Sequence, residues 1–133
     1  MDSETREKLI AAAQQARTRA YAVYSGFTVG AALLTADGAR ITGCNVENVS
    51  LGLTQCAERV ALGRAIAEGH REFQALAVAS STGVAPCGAC RQVLAEFCDE
   101  LRVLLVQEKP ILHTREVSLL ALLPDRFEPK TDS

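Results

Sequence analysis

Two cysteines, Cys87 and Cys90, stand three positions apart directly after Pro86, and an upstream segment carries Cys56 and Glu58 two positions apart. No other feature constrains the chain as much. Residues i and i+3 of a helix share a face one turn apart, so a helix starting at Pro86 lets both thiolates grip one ion. A lone C-x-x-C also occurs in redox motifs and structural zinc sites. The redox reading needs a thioredoxin-like setting, which the surrounding sequence does not offer. Cys56 supplies a third thiolate from a second segment. Three thiolates hold zinc and leave one tetrahedral position open for water, as a catalytic site requires.

The two segments also fall where helix N-termini are predicted. The positive end of a helix dipole favours thiolate over thiol. Three thiolates on Zn²⁺ leave a net charge of about −1, which weakens the metal's power to acidify water. Arg59, three positions after Cys56, and the free N–H groups at the helix starts can offset it, and Arg59 is expected to donate to one or two of the sulfurs. At a helix start Cys56 can point along the axis while Glu58 leans over the metal face. Glu58 then reads as a proton shuttle.

The chain has 133 residues, which suits a single domain over 1–133, with a flexible tail expected at about 129–133. Net charge is −2 and the pI about 5.7, which gives no footprint for nucleic acid; aromatic residues make up only 5%. The N-terminus is polar and charged with no apolar h-region, and no apolar run reaches the roughly 20 residues a membrane span needs. A cytoplasmic protein with no membrane partner is expected. The five cysteines are an odd number, and in a reducing compartment they argue for metal binding or burial over disulfides. Cys44 and Cys98 read as structural. His70 and His113 are not at ligand spacing.

Hydrophobic periodicity predicts helices over residues 3–21 (capped by Ser3), 57–68, 87–98 and 118–123. Strands are predicted over 27–35, 40–46, 73–79, 101–106 and, shorter, 111–114. Ala36-Asp37-Gly38 turns the first two strands into a hairpin. This order predicts a three-layer α/β/α sandwich: one mixed sheet of about five strands with helices on both faces.

Several stretches together resemble the cytidine deaminase family in its short, homotetrameric form with a three-cysteine zinc site. They are Tyr24-Ser25-Gly26-Phe27-Thr28-Val29-Gly30-Ala31-Ala32-Leu33, Gly43-Cys44-Asn45-Val46-Glu47-Asn48, Cys56-Ala57-Glu58-Arg59, Pro86-Cys87-Gly88-Ala89-Cys90-Arg91-Gln92 and Leu122-Leu123-Pro124. The likeness runs from Ala20 to about Pro129. It implies hydrolytic deamination of cytidine and 2′-deoxycytidine, a pyrimidine-salvage reaction, with one Zn²⁺ per subunit on Cys56, Cys87 and Cys90. Glu58 is the implied catalytic group and Arg59 the implied support of the ligands. The implied substrate contacts are Phe27 against the pyrimidine ring, the Ala57 backbone at its edge, and Asn45 with Glu47 at the ribose hydroxyls, mainly the 3′-hydroxyl. Residues at alternating strand positions share a face, so Asn45 and Glu47 should point the same way. Phe127 resembles an aromatic that a neighbouring subunit lends to the site.

The sequence departs from the family at Leu51, where an aromatic is usual, and this bears on fine substrate preference. The block from Cys44 to Glu47 and the Cys56 ligand argue against blasticidin-type deaminases. Three other readings stay open from the residues alone. They are a deaminase for a nucleobase or modified nucleoside, a closed four-cysteine zinc site recruiting Cys44, and a polynucleotide-editing enzyme. The last needs a basic groove and stacking aromatics, against the charge and composition.

Overall fold

Asp2, one residue before the predicted cap, accepts the Thr5 N–H at 2.8 Å and starts the first helix, α1 (Ser3–Arg17). The helix ends before 21 because Thr18, Arg19 and Ala20 tighten into i→i−3 turns. Tyr21 is then drawn into an isolated bridge with Val46. The computed structural model describes residues 1–129, so the tail expected from 129 onward lies, but for Pro129, outside the described residues.

The first hairpin forms as predicted, with shorter strands, β1 (Gly30–Thr35) and β2 (Arg40–Cys44). Residues 27–29 stay outside the ladder because side chains take up much of their backbone polarity. Arg17 donates to the Thr28 carbonyl, and Asn45 holds both the Phe27 carbonyl and the Val29 N–H. A 3₁₀ turn (Leu51–Leu53) precedes α2 (Ala57–Ala67). Then come β3 (Phe73–Ser80), α3 (Gly88–Phe97), β4 (Arg102–Gln107), β5 (His113–Ser118) and α4 (Leu119–Leu122). The fifth strand is longer and later than the expected 111–114. Among the described residues it is an edge strand paired only with β4, and its Arg115-Glu116 polarity hides it from an apolar-run reading.

The five strands run in the order β2-β1-β3-β4-β5, with β3 and β4 parallel and the other pairs antiparallel. Side chains alternate across the sheet. One face, with Ala32, Leu34, Ala77 and Leu104, packs on Leu9 and Ala13 of α1. The other, with Leu33, Leu76, Val78, Val103 and Leu105, packs on Ala61, Leu62, Leu94 and Leu119 of α2, α3 and α4. The architecture is therefore the three-layer α/β/α sandwich expected.

Two glycines bring helices close enough to build the site. A Cβ at Gly30 would lie 2.1 Å from the Ala13 carbonyl, so only glycine lets α1 press onto β1 there. A Cβ at Gly43 would lie 2.4 Å from the Ala61 nitrogen and 2.7 Å from the Ala57 carbonyl oxygen. Gly43 thus seats the first turn of α2 on the end of β2.

Candidate active site

Strand register gathers the chemistry at one end of the sheet. Gly30 at the start of β1 pairs with Cys44 at the end of β2 and with Ala79 near the end of β3. Residues 27–29, 45–47 and the 81–87 loop therefore meet. Beyond them stand the N-termini of α2 and α3. Crevices at strand ends of this kind are where open α/β sheets bind ligands.

Cys56 and Cys87 are the N-cap residues of α2 and α3, each in extended conformation, so both thiols sit where helix N–H groups and dipoles favour the anion. Cys90 lies one turn into α3 and is fully buried. The Cys56 and Cys87 sulfurs are 4.0 Å apart and those of Cys87 and Cys90 3.5 Å apart. Among the described residues these three cysteines form one metal-capable group, with all sulfurs within 4.8 Å of one another. Tetrahedral bonds of about 2.3 Å place thiolates roughly 3.8 Å apart, so the triad fits zinc without rearrangement. Burial pushes the Cys90 thiol strongly up, so a cation is what its thiolate calls for. Cys44 stands outside the group, its thiol directed at the Arg19 carbonyl oxygen at 3.6 Å. The geometry thus leaves the triad without a fourth cysteine.

Arg59 Nη2 donates to the Cys56 sulfur at 3.4 Å, and that sulfur is the main reason the guanidinium is held above its ordinary value. Its Nε is buried with no partner among the described residues. Glu58, in the first turn of α2, is only 5% exposed. Burial pushes its carboxyl above the usual range, outweighing its own backbone N–H and Arg59.

A pocket of about 290 Å³ opens over these groups. Phe27, Asn45, Glu47, Cys56, Ala57, Glu58 and Cys87 all line it. The chain therefore brings together nearly every residue singled out from the sequence. Cys90 and Arg59 do not line the pocket but join the site through the thiol triad and the Cys56 sulfur, whereas Phe127 is 76% exposed and does not line this pocket. Asn45 and Glu47 reach the pocket by a different route from the one expected. β2 stops at Cys44, and both residues lie beyond it. Val46 between them bridges to Gln55 and Tyr21, which keeps the backbone extended and the two side chains on one side.

Asn45 Oδ1 accepts the Val29 N–H and its Nδ2 donates to the Phe27 carbonyl, each at 2.9 Å. One amide hydrogen and one oxygen lone pair remain for a ligand. Glu47 accepts the Tyr24 and Ser25 N–H groups on Oε1 and the Ser25 hydroxyl on Oε2. The Ser25 hydroxyl, followed by these N–H groups, holds the Glu47 carboxyl below the usual range.

Sequence reasoning missed Ser25, Thr54, Val78, Val84 and Ala85, which also line the pocket. Ser25 was within reach, since it lies inside the Tyr24-to-Leu33 stretch. Val84 and Ala85 carry no chemical signal. They become wall because Ser80, buried at the end of β3, accepts the Gly83 and Val84 N–H groups and folds the loop back.

Comparisons with known proteins agree with this geometry. The model of the cytidine and deoxycytidylate deaminase zinc-binding region matches residues 3–106. The chain is 49% identical over 124 residues to a cytidine deaminase of Sporosarcina psychrophila, covering 91% of this chain and 90% of that one. It is 50% identical over 125 residues to a cytidine deaminase of Halalkalibacterium halodurans, covering 92% and 93%. Among solved structures, that of cytidine deaminase from Burkholderia pseudomallei superposes with a TM-score of 0.86 at 49% identity, covering 96% of this chain and all of that one.

Proposed function

The chain belongs to the cytidine deaminase family, and from that premise we propose that it hydrolyses cytidine and 2′-deoxycytidine to uridine and 2′-deoxyuridine plus ammonia, as a pyrimidine-salvage enzyme. The observation that carries the reading is a zinc-competent thiol triad, two of whose members line the same pocket as a buried carboxyl.

Cys56, Cys87 and Cys90 would hold one zinc ion per subunit. When bound, zinc supplies the Lewis acid that makes water a nucleophile at neutral pH. Glu58 takes a proton from the attacking water and delivers it to N3 of the ring as oxygen bonds to C4. It then carries the remaining hydroxyl proton to the amino group, the C4–N bond breaks, and ammonia leaves. A carboxyl raised by burial suits both halves of that task. Phe27 packs on the pyrimidine, and the Ala57 backbone meets its edge. Asn45 and Glu47 take the ribose hydroxyls, mainly the 3′-hydroxyl, which allows loss of the 2′-hydroxyl.

The proposed assembly is a homotetramer in which Phe127 enters a neighbour's pocket. The exposure of Phe127, and of Leu51 and Leu53 just before the Cys56 segment, supports it. The proposed location is the cytoplasm, where thiol ligands stay reduced. Neither nucleic acid nor membrane is a proposed partner.

The deciding experiment follows the loss of cytidine ultraviolet absorbance with purified, zinc-loaded protein. Conversion to uridine that a chelator abolishes is expected. No conversion by folded, zinc-containing protein would overturn the reading. A fully active monomer in sedimentation would remove the shared site alone.

A further inference from the structure

The Ser25 hydroxyl does two jobs at the sugar end of the pocket. It donates to Glu47 Oε2, and its oxygen accepts the Phe27 N–H at 2.9 Å. Glu47 Oε1 is meanwhile filled by the Tyr24 and Ser25 N–H groups at 2.9 and 3.1 Å. An ionised carboxylate offers about four lone-pair sites. Three are taken by this one turn, so a single acceptor position remains, on Oε2, and the Ser25 hydroxyl fixes where it points.

We propose that Ser25 is a positioning and specificity-determining residue: its hydroxyl sets the Glu47 carboxylate so that one lone pair, and only one, faces a sugar hydroxyl. The inference rests on the reading of Glu47 as a ribose contact. Without the Ser25 hydroxyl, Oε1 still anchors the carboxylate, but Oε2 swings free and can be met by water. Selectivity for the sugar hydroxyl is then lost although Glu47 itself remains. The link to Phe27 acts differently. Loosening Phe27 weakens the grip on the base, which every cytosine nucleoside shares.

The test compares kcat/KM for cytidine with that for 3′-deoxycytidine in the zinc-loaded full chain. A hydrogen bond to a charged group is worth about 1.5–3 kcal/mol, so Ser25→Ala should cut the preference for cytidine roughly tenfold or more. The loss should appear mainly in KM. Ser25→Thr, which keeps the hydroxyl, should retain the preference. Ser25→Gly replaces Ala if that variant fails to fold. Equal losses on both substrates would overturn the proposal, because a merely structural role moves both alike. Glu47→Ala is the reference. If it leaves the preference intact, the ribose role of Glu47 fails first; if it removes the preference while Ser25→Ala does not, Ser25 alone is refuted.

Discussion

Arg59 Nη2 rests 3.4 Å from the sulfur of Cys56, the residue that caps its own helix. The contact puts a fixed positive charge against a ligand set that would otherwise leave zinc with a net negative charge. Replacing Arg59 by Gln keeps much of the bulk and removes the charge. Activity should fall roughly 10–100-fold, the usual effect of losing a group that supports a metal ligand. Competition with a chelator should strip zinc from the variant at lower chelator concentration than from the parent. Unchanged metal retention and unchanged activity would show that the contact is incidental.

Glu58 is buried, and its carboxyl is raised. Such a group is costly to keep unless chemistry needs it. Glu58→Gln should lose about 10²–10⁴-fold in turnover while zinc content stays at one per subunit. Thermal stability should hold or rise, because the variant no longer buries an ionisable group. A variant that lost zinc along with activity would point to a structural role instead.

The close seat of α2 on β2 predicts opposite outcomes for two glycines. Gly43→Ala forces a Cβ to within 2.4 Å of the Ala61 nitrogen, and a backbone atom cannot step aside as a side chain can. It should cost about 1–3 kcal/mol and displace the Cys56–Glu58 turn, lowering both melting temperature and activity. Gly63 lies inside α2, and among the described residues nothing beyond its chain neighbours and the helix's own backbone comes within 4 Å of its added Cβ. Gly63→Ala should raise stability by about 0.5–1 kcal/mol through helix propensity alone. Denaturant unfolding of the pair separates close approach from backbone freedom.

Glu100 ties the start of β4 to the start of α4. Its carboxylate accepts the Leu101 and Leu120 N–H groups and the Ser118 hydroxyl. Burial pushes its pKa up, but the Ser118 hydroxyl and these N–H groups outweigh it, and the carboxyl titrates below its usual value of about 4.5. A lowered folded pKa gives stability that is present above the unfolded value and lost as pH falls through the folded one. The stability gap between the parent and Glu100→Gln should therefore be full at neutral pH and close in acid, beginning near pH 4.5. Parallel unfolding curves across that range check it; a gap that stays constant with pH would refute the charge-based link.

The metal triad, Glu58 and Arg59 were legible because their spacing carries chemistry whatever the fold around them. The layers were legible because apolar runs such as Leu76 to Ala79 have the length and bounding turns of strands. Less legible was anything that depends on one segment serving another. The strand beginning at 27 was shortened to Gly30 by Asn45 and Arg17, which lie 16 and 11 positions from their partners Val29 and Thr28. Ser25 lies in a family-like stretch, but its task depends on Glu47, 22 positions away, which accepts its hydroxyl. β5 was misplaced because an edge strand with one solvated face carries too few apolar residues to announce itself.

Thiol chemistry offers a separate check on the ligand set. Cys87 is exposed, Cys56 half-buried and Cys90 buried. Burial also pushes the Cys98 thiol up to about 11. A thiol reagent reads accessible thiolate. In zinc-loaded protein Cys87 should be protected despite its exposure, since its sulfur is engaged. Removing zinc should release Cys87 first, then Cys56, with Cys90 slower. Cys98 should stay silent until the protein is unfolded. Time courses with and without chelator, resolved by peptide mass, give the order. Rapid labelling of Cys87 in protein that still holds its zinc would exclude it from the ligand set and reopen the site to another arrangement.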